Sequence, residues 1–161
     1  MTDHKNKIFL SVVIPCYNEE KNIRAGRLDE VHTYLLKCPF DWEVIIVNDE
    51  SSDLSRDLAA SFAADKSGYT IVDIPHSGKA AAVWAGIRKS EGNIILFTDM
   101  DQSTPIAELE KLLPWYEKGC DLVIGSRGNL RSGMQPFRKI GSTVFRRLRR
   151  LFLLPDIIDT Q

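Results

Sequence analysis

Trp42-Glu43-Val44-Ile45-Ile46-Val47-Asn48-Asp49-Glu50-Ser51-Ser52-Asp53 is the stretch on which the fold turns. Its first half is a short run rich in β-branched residues, the pattern of a strand buried on both faces. Its second half switches to polar and acidic residues that suit a turn and a helix cap. Leu54, Leu58 and Phe62 then follow at helical spacing between Asp53 and Asp65.

The same strand, polar loop and helix recur along the chain. Apolar runs at Ile8 to Ile14, Ile94 to Thr98 and Leu122 to Ile124 read as further strands, with Tyr69 to Ile74 a weaker one. Glu19 to Lys37 carries Ile23, Leu28, Val31 and Leu35 at helical spacing, and Lys79 to Lys89 and Ile106 to Lys118 also read as helices. Ser103-Thr104-Pro105 offers a cap before a first-turn proline. Alternating strands and helices predict an α/β fold, a mostly parallel Rossmann-like sheet with helices on both faces.

The 161 residues are one domain's worth of chain. The 21 basic and 22 acidic residues leave no overall charge to attract nucleic acid. Three cysteines, Cys16, Cys38 and Cys120, lack Cys-x-x-Cys spacing, which argues against a disulfide framework or a zinc site and for a reducing compartment. No apolar run approaches the ~20 residues a membrane span needs, and the polar start has no signal-peptide pattern.

Charge is uneven all the same. From Ser126 to Leu154 there are eight basic residues and no Asp or Glu. Arg127 to Gln135 reads as a loop. Pro136 to Leu154 reads as a basic amphipathic helix with Phe137, Ile140, Val144, Leu148 and Leu151 on its apolar stripe. Such a segment suits an anionic membrane surface, or else packs with its basic face in solvent. Residues 1–161 are read as a single domain, and the stop at Asp159-Thr160-Gln161 reads as a C-terminal truncation.

In an open parallel sheet, ligands bind beyond the carboxyl ends of the strands. Asp99-Met100-Asp101 follows one strand, and two carboxylates so spaced can reach one hard cation such as Mg²⁺ or Mn²⁺. Alternatively they are two solvated loop acids. Asp49 ends another strand, either to accept hydrogen bonds from a base or ribose or to cap the helix near Asp53. Tyr17 could stack on a base or close the core. Lys79 opens a helix, where an ammonium and helix amides favour phosphate. Gly-x-Gly-x-x-Gly and Walker A spacings are both missing. His4 and His32 read as structural or solvated, His76 as a loop residue near the site, and Cys16 as a buried, inert thiol.

Val12 to Glu20, Val47 to Asp53, Asp99-Met100-Asp101 and Gly125-Ser126-Arg127, taken together, resemble family 2 of the inverting glycosyltransferases, which has the GT-A fold. Within it the chain is most similar to the polyprenyl-phosphate glycosyltransferases, the dolichyl-phosphate mannose and glucose synthases and their bacterial relatives. Phe97 to Pro105 and the ending Asp159-Thr160-Gln161 carry the same likeness.

The resemblance implies that Pro15, Tyr17 and Glu19 line a nucleotide pocket and that Asp49 reads the base. It implies that Asp99 meets the ribose or sugar-phosphate region, and that Asp101, with Asp99, holds Mg²⁺ or Mn²⁺. Arg127 and Arg138 would meet the acceptor phosphate or the donor diphosphate. The expected reaction moves a hexose from an NDP-sugar, UDP-glucose favoured, to a polyprenyl phosphate at the cytoplasmic face of a membrane. The chain departs from the family at Asn48 and Glu50, where Asp and Gly are usual. Met100 replaces an alanine and Ala80 a glycine. Two rivals remain, a nucleotidyltransferase and a nucleotide-binding or membrane-docking module.

Overall fold

The computed structural model describes residues 8–125. The basic segment, with Arg127 and Arg138, lies outside the described residues, as does His4.

Four strands form one parallel sheet: β1 (Leu10–Cys16), β2 (Trp42–Asn48), β3 (Tyr69–Asp73) and β4 (Ile94–Phe97), in the order β3-β2-β1-β4. Leu10, Val12, Val13 and Ile14 of β1 and Val44 to Val47 of β2 are fully buried. Burying a Val, Leu or Ile side chain contributes about 1.5–3 kcal/mol, so these two central strands carry much of the core's stability.

The helices are α1 (Glu20–Arg24), α2 (Arg27–Leu35), α3 (Ser55–Ala64) and α4 (Lys79–Lys89). His32 of α2 and Phe62 of α3 meet Trp42 and Tyr69 in an aromatic cluster. That cluster places α2 and α3 on the sheet face of Trp42, Val44 and Ile46. Tyr69 Oη lies 3.2 Å from His32 Nδ1, and burial lowers the His32 pKa, as expected of a structural histidine. On the opposite face Ala82 of α4 packs with Ile45 and Val47, and Gly86 closes on Val13.

Several sequence expectations are corrected. The helix read over Glu19 to Lys37 is two helices, divided at Ala25-Gly26, where Gly26 takes a φ of 82°. Leu122 to Ile124 forms no strand. The run is only three residues long, no described strand pairs with it, and Leu122 and Ile124 are exposed. β4, read as buried on both faces, is half open. Ile95 and Phe97, which share one sheet face, are 41% and 45% exposed, and among the described strands only β1 pairs with β4. Ser103 and Thr104 cap nothing. The Gln102 side-chain oxygen instead accepts the Ile106 amide at 3.1 Å, at the start of a short 3-10 helix (Ile106–Glu108).

The chain divides into two compact units, residues 1–109 and 110–161. The second is described over 110–125 only and contains most of α5 (Leu109–Glu117), with Pro114 inside it.

Candidate active site

Strand order places the site. The chain runs outward from β1 through β2 to β3, then returns to the far side of β1 as β4. Loops leaving the carboxyl ends of β1 and β4 therefore diverge and leave a crevice between them. A cleft of about 260 Å³ lies there. Pro15, Tyr17 and Glu19 line it from the β1 side, Asp49 from β2, Lys79 from α4, and Asp99 and Asp101 from the loop after β4. All seven described candidates from the sequence thus share one cavity.

The loops are held by one another. Asn18, Glu50 and Gln102 adopt positive φ values of 53°, 56° and 51°, one after each of β1, β2 and β4. Glu50 thus takes the left-handed turn conformation that a glycine would take at lower cost. Its carboxylate gives something in return by accepting the His76 amide at 2.9 Å. The Asn18 side chain accepts the Ser52 amide at 2.9 Å, and its own amide donates to Ser51 Oγ at 3.1 Å. Glu19 and Glu20 donate their amides to Ser55 Oγ and Asp53 Oδ2 at 2.6 and 3.3 Å. The two polar motifs that follow β1 and β2 are therefore partly scaffolding for each other. The Glu19 carboxylate also accepts from the Asn22 side chain.

Asp49 is 2% exposed. Its Oδ1 accepts the Ser77 amide at 2.7 Å and its Oδ2 accepts the Gly78 amide at 2.9 Å. The helix near Asp53 is served instead by Asp53 itself, which accepts the Ser55 amide at 2.9 Å. Asp49 is accordingly a clamp on the loop before α4 and not a cap for α3. Gly78 needs its glycine for conformation, with φ 86° and nothing within 4 Å of an added Cβ.

His76 is the cleft residue that the sequence undervalued. Its ring stacks on Tyr17, centroids 4.4 Å apart, and its Nδ1 lies 3.1 Å from Asp49 Oδ2. No local pattern announces this, because its partners come from two other strand ends.

Asp99 and Asp101 differ. Asp101 is exposed, and its Oδ1 accepts the Ser103 amide at 2.8 Å. Asp99 Oδ1 is buried, with the Lys79 ammonium 2.6 Å away, a contact of charge rather than of hydrogen-bond geometry. Met100 between them is 2% exposed, so the bulk that replaces alanine goes into the cleft floor rather than between the carboxylates. The first turn of α4 has no acidic residue of its own, and the carboxylate at its amino end is that of Asp49, on the Gly78 amide. Burial pushes the Cys16 thiol up to about 12, with the Glu19 and Asp53 charges adding to it, which fits an inert floor residue. Cleft, carboxylates, ammonium and helix end together suit a diphosphate held with a hard cation.

Comparison with known proteins shows the family. Residues 11–160 match the glycosyl transferase family 2 model. A dolichyl-phosphate beta-glucosyltransferase of Trichomonas vaginalis is 33% identical over 97% of this chain and 50% of its own length. An undecaprenyl-phosphate 4-deoxy-4-formamido-L-arabinose transferase of Pectobacterium atrosepticum is 31% identical over 88% of this chain and 43% of its own. The chain thus spans about half the length of the curated relatives it matches. Among solved structures, glucosyl-3-phosphoglycerate synthase of Mycobacterium tuberculosis, in complex with Mn²⁺, UDP and glucosyl-3-phosphoglycerate, superposes with a TM-score of 0.61. It is 23% identical, over 94% of this chain and 52% of that one.

Proposed function

The chain belongs to glycosyl transferase family 2 and has the GT-A fold, and from that premise we propose that it transfers a hexose from an NDP-sugar to a polyprenyl phosphate. UDP-glucose is the favoured donor. The observation that carries this reading is the gathering of Tyr17, Lys79, Asp99 and Asp101 around one cleft at the β1–β4 divide. Relatives that act on dolichyl and undecaprenyl phosphates support the acceptor class.

A divalent cation fits the donor set. Among the described residues no group of three or more His, Cys, Asp or Glu could hold a metal. Two carboxylates remain, which suits Mg²⁺ or Mn²⁺, since these ions commonly take their other ligands from water and substrate phosphate. Asp101 and Asp99 would hold it. When bound, it supplies positive charge against the diphosphate.

The chain's own groups do the rest. The acceptor phosphate oxygen bonds to the anomeric carbon as the bond to the diphosphate oxygen breaks, with inversion. Charge grows on the leaving diphosphate, where Lys79 and the amino end of α4 stabilise it. A phosphate monoester has a second pKa of about 6 and is already an anion, so no strong general base is required. Tyr17 offers a face to the base. Arg127 and Arg138 are assigned to the acceptor phosphate, and the basic residues of 126–154 to an anionic membrane surface.

The direct test is transfer of labelled glucose from UDP-glucose to a short polyprenyl phosphate, run beside GDP-, CDP- and dTDP-sugars. Nucleotide binding without transfer to any lipid phosphate would favour a binding module. Flotation with vesicles should rise with anionic lipid and fall with salt. Among the described residues, no helix is long and apolar enough to cross a membrane.

A further inference from the structure

We propose that Lys79 is an internal counter-ion for Asp99 that keeps a divalent cation off that carboxylate until a diphosphate draws the ammonium away. The inference rests on the nucleotide-sugar reading of the cleft and deepens it, by making metal and nucleotide bind as a pair.

Lys79 Nζ lies 2.6 Å from Asp99 Oδ1, and that oxygen is buried. The same ammonium lies 5.3 Å from the centroid of the Phe97 ring, a second attraction that keeps it over the end of β4. The root of the side chain is fixed, because Lys79 is the first residue of α4 and Asp49 clamps the preceding Gly78. The side chain itself is 59% exposed, so it can swing.

With no group of three or more His, Cys, Asp or Glu among the described residues that could hold a metal, a cation arriving alone finds Asp101 and an Asp99 already neutralised. It also meets a like charge at contact range. A nucleoside diphosphate changes the balance. Its oxygens give the ammonium a new partner beside the amino end of α4, and they bring further ligands for the cation. Asp99 is then released to the metal. Such coupling is reciprocal, so the metal must raise nucleotide affinity by the factor by which nucleotide raises metal affinity.

The test is Mn²⁺ binding without nucleotide, followed by the electron paramagnetic resonance signal of free Mn²⁺, in the wild type and in Lys79→Met and Lys79→Arg. Lys79→Met should bind Mn²⁺ alone at least about fivefold more tightly, the effect of removing a unit charge in a partly exposed site. Lys79→Arg keeps the charge and should stay at the wild-type value. The gain in Mn²⁺ affinity on adding UDP should shrink in Lys79→Met. Circular dichroism checks the fold, and Lys79→Gln serves if the methionine variant misfolds. Equal or weaker Mn²⁺ affinity in the neutral variants, including no measurable binding by any protein, overturns the proposal. Transfer by the wild type alongside that result would leave the glycosyltransferase reading standing. A gain in Mn²⁺ affinity without any transfer would do the reverse.

Discussion

Asp49 Oδ2 accepts the Gly78 amide at 2.9 Å, joining the carboxyl end of β2 to the residue just before α4. A second bond, from the Ser77 amide to Oδ1 at 2.7 Å, makes the clamp two-pronged. The pair sets where Lys79 begins, and so where its ammonium can reach.

Replacing Asp49 should therefore cost stability as well as ligand binding. Asp49→Ala leaves two amides without their carboxylate in a buried site, at a cost of about 2–4 kcal/mol. Asp49→Asn keeps one acceptor but turns a donor toward its neighbours, at about 1–2 kcal/mol. Urea unfolding measures both. An Asp49→Asn midpoint equal to wild type would contradict the clamp.

Gly86→Ala tests how α4 seats on the sheet. An added Cβ would lie 2.3 Å from Val13 Cγ1 and 3.2 Å from Val47 Cγ2. Alanine improves helix propensity by about 1 kcal/mol, but overpacking a core costs about 1–3 kcal/mol and can exceed that. Net destabilisation is expected, read as a lower denaturation midpoint. Because α4 must shift, nucleotide affinity should fall as well.

Acid should weaken one link at the β3 edge. Hydrogen bonds from Arg56, with a further one from Asn48, hold the Asp73 carboxyl below its ordinary value. A carboxylate whose folded pKa is depressed stabilises the fold above its unfolded value, and that contribution is lost as pH falls through the folded one. Asp73→Asn should be less stable than wild type near neutral pH, and the gap should close between about pH 5 and pH 2. Urea midpoints at several pH values follow it. A gap that widens in acid would contradict the assignment.

Thiol labelling separates the cysteines. Cys16 is fully buried with its pKa pushed up to about 12, whereas Cys38 and Cys120 are partly exposed. Since the thiolate is the reactive form, iodoacetamide at about pH 8 should modify Cys16 only after unfolding. Peptide mass spectrometry decides it, and early labelling of Cys16 would refute its inert role.

Asp101→Asn should keep the fold and weaken UDP binding in Mn²⁺. Calorimetry showing equal affinity in the two proteins would remove Asp101 from the metal site.

Much of the fold was legible from periodicity alone. Val44 to Val47 and Val12 to Ile14 are buried on both sheet faces and read as continuous apolar runs, and α4 spans Lys79–Lys89 as its spacing predicts. Backbone hydrogen bonding and side-chain burial repeat locally, so a linear pattern records them. The strand ends also mark the site, because in a parallel sheet they lie on one edge.

Only the tertiary structure decided what each polar residue in that edge holds. Asp49 reaches an amide 28 positions away, and Ser52 reaches Asn18 across 34. Gln102 rather than Ser103 serves the Ile106 amide, and His76 rather than a neighbour in sequence stacks on Tyr17. A short apolar run such as Leu122 to Ile124 likewise becomes a strand only where another strand pairs with it. Spacing specifies which residues can share a face. The partner of a carboxylate or an amide depends instead on which loops the strand order brings together, and that exists only once the chain has folded.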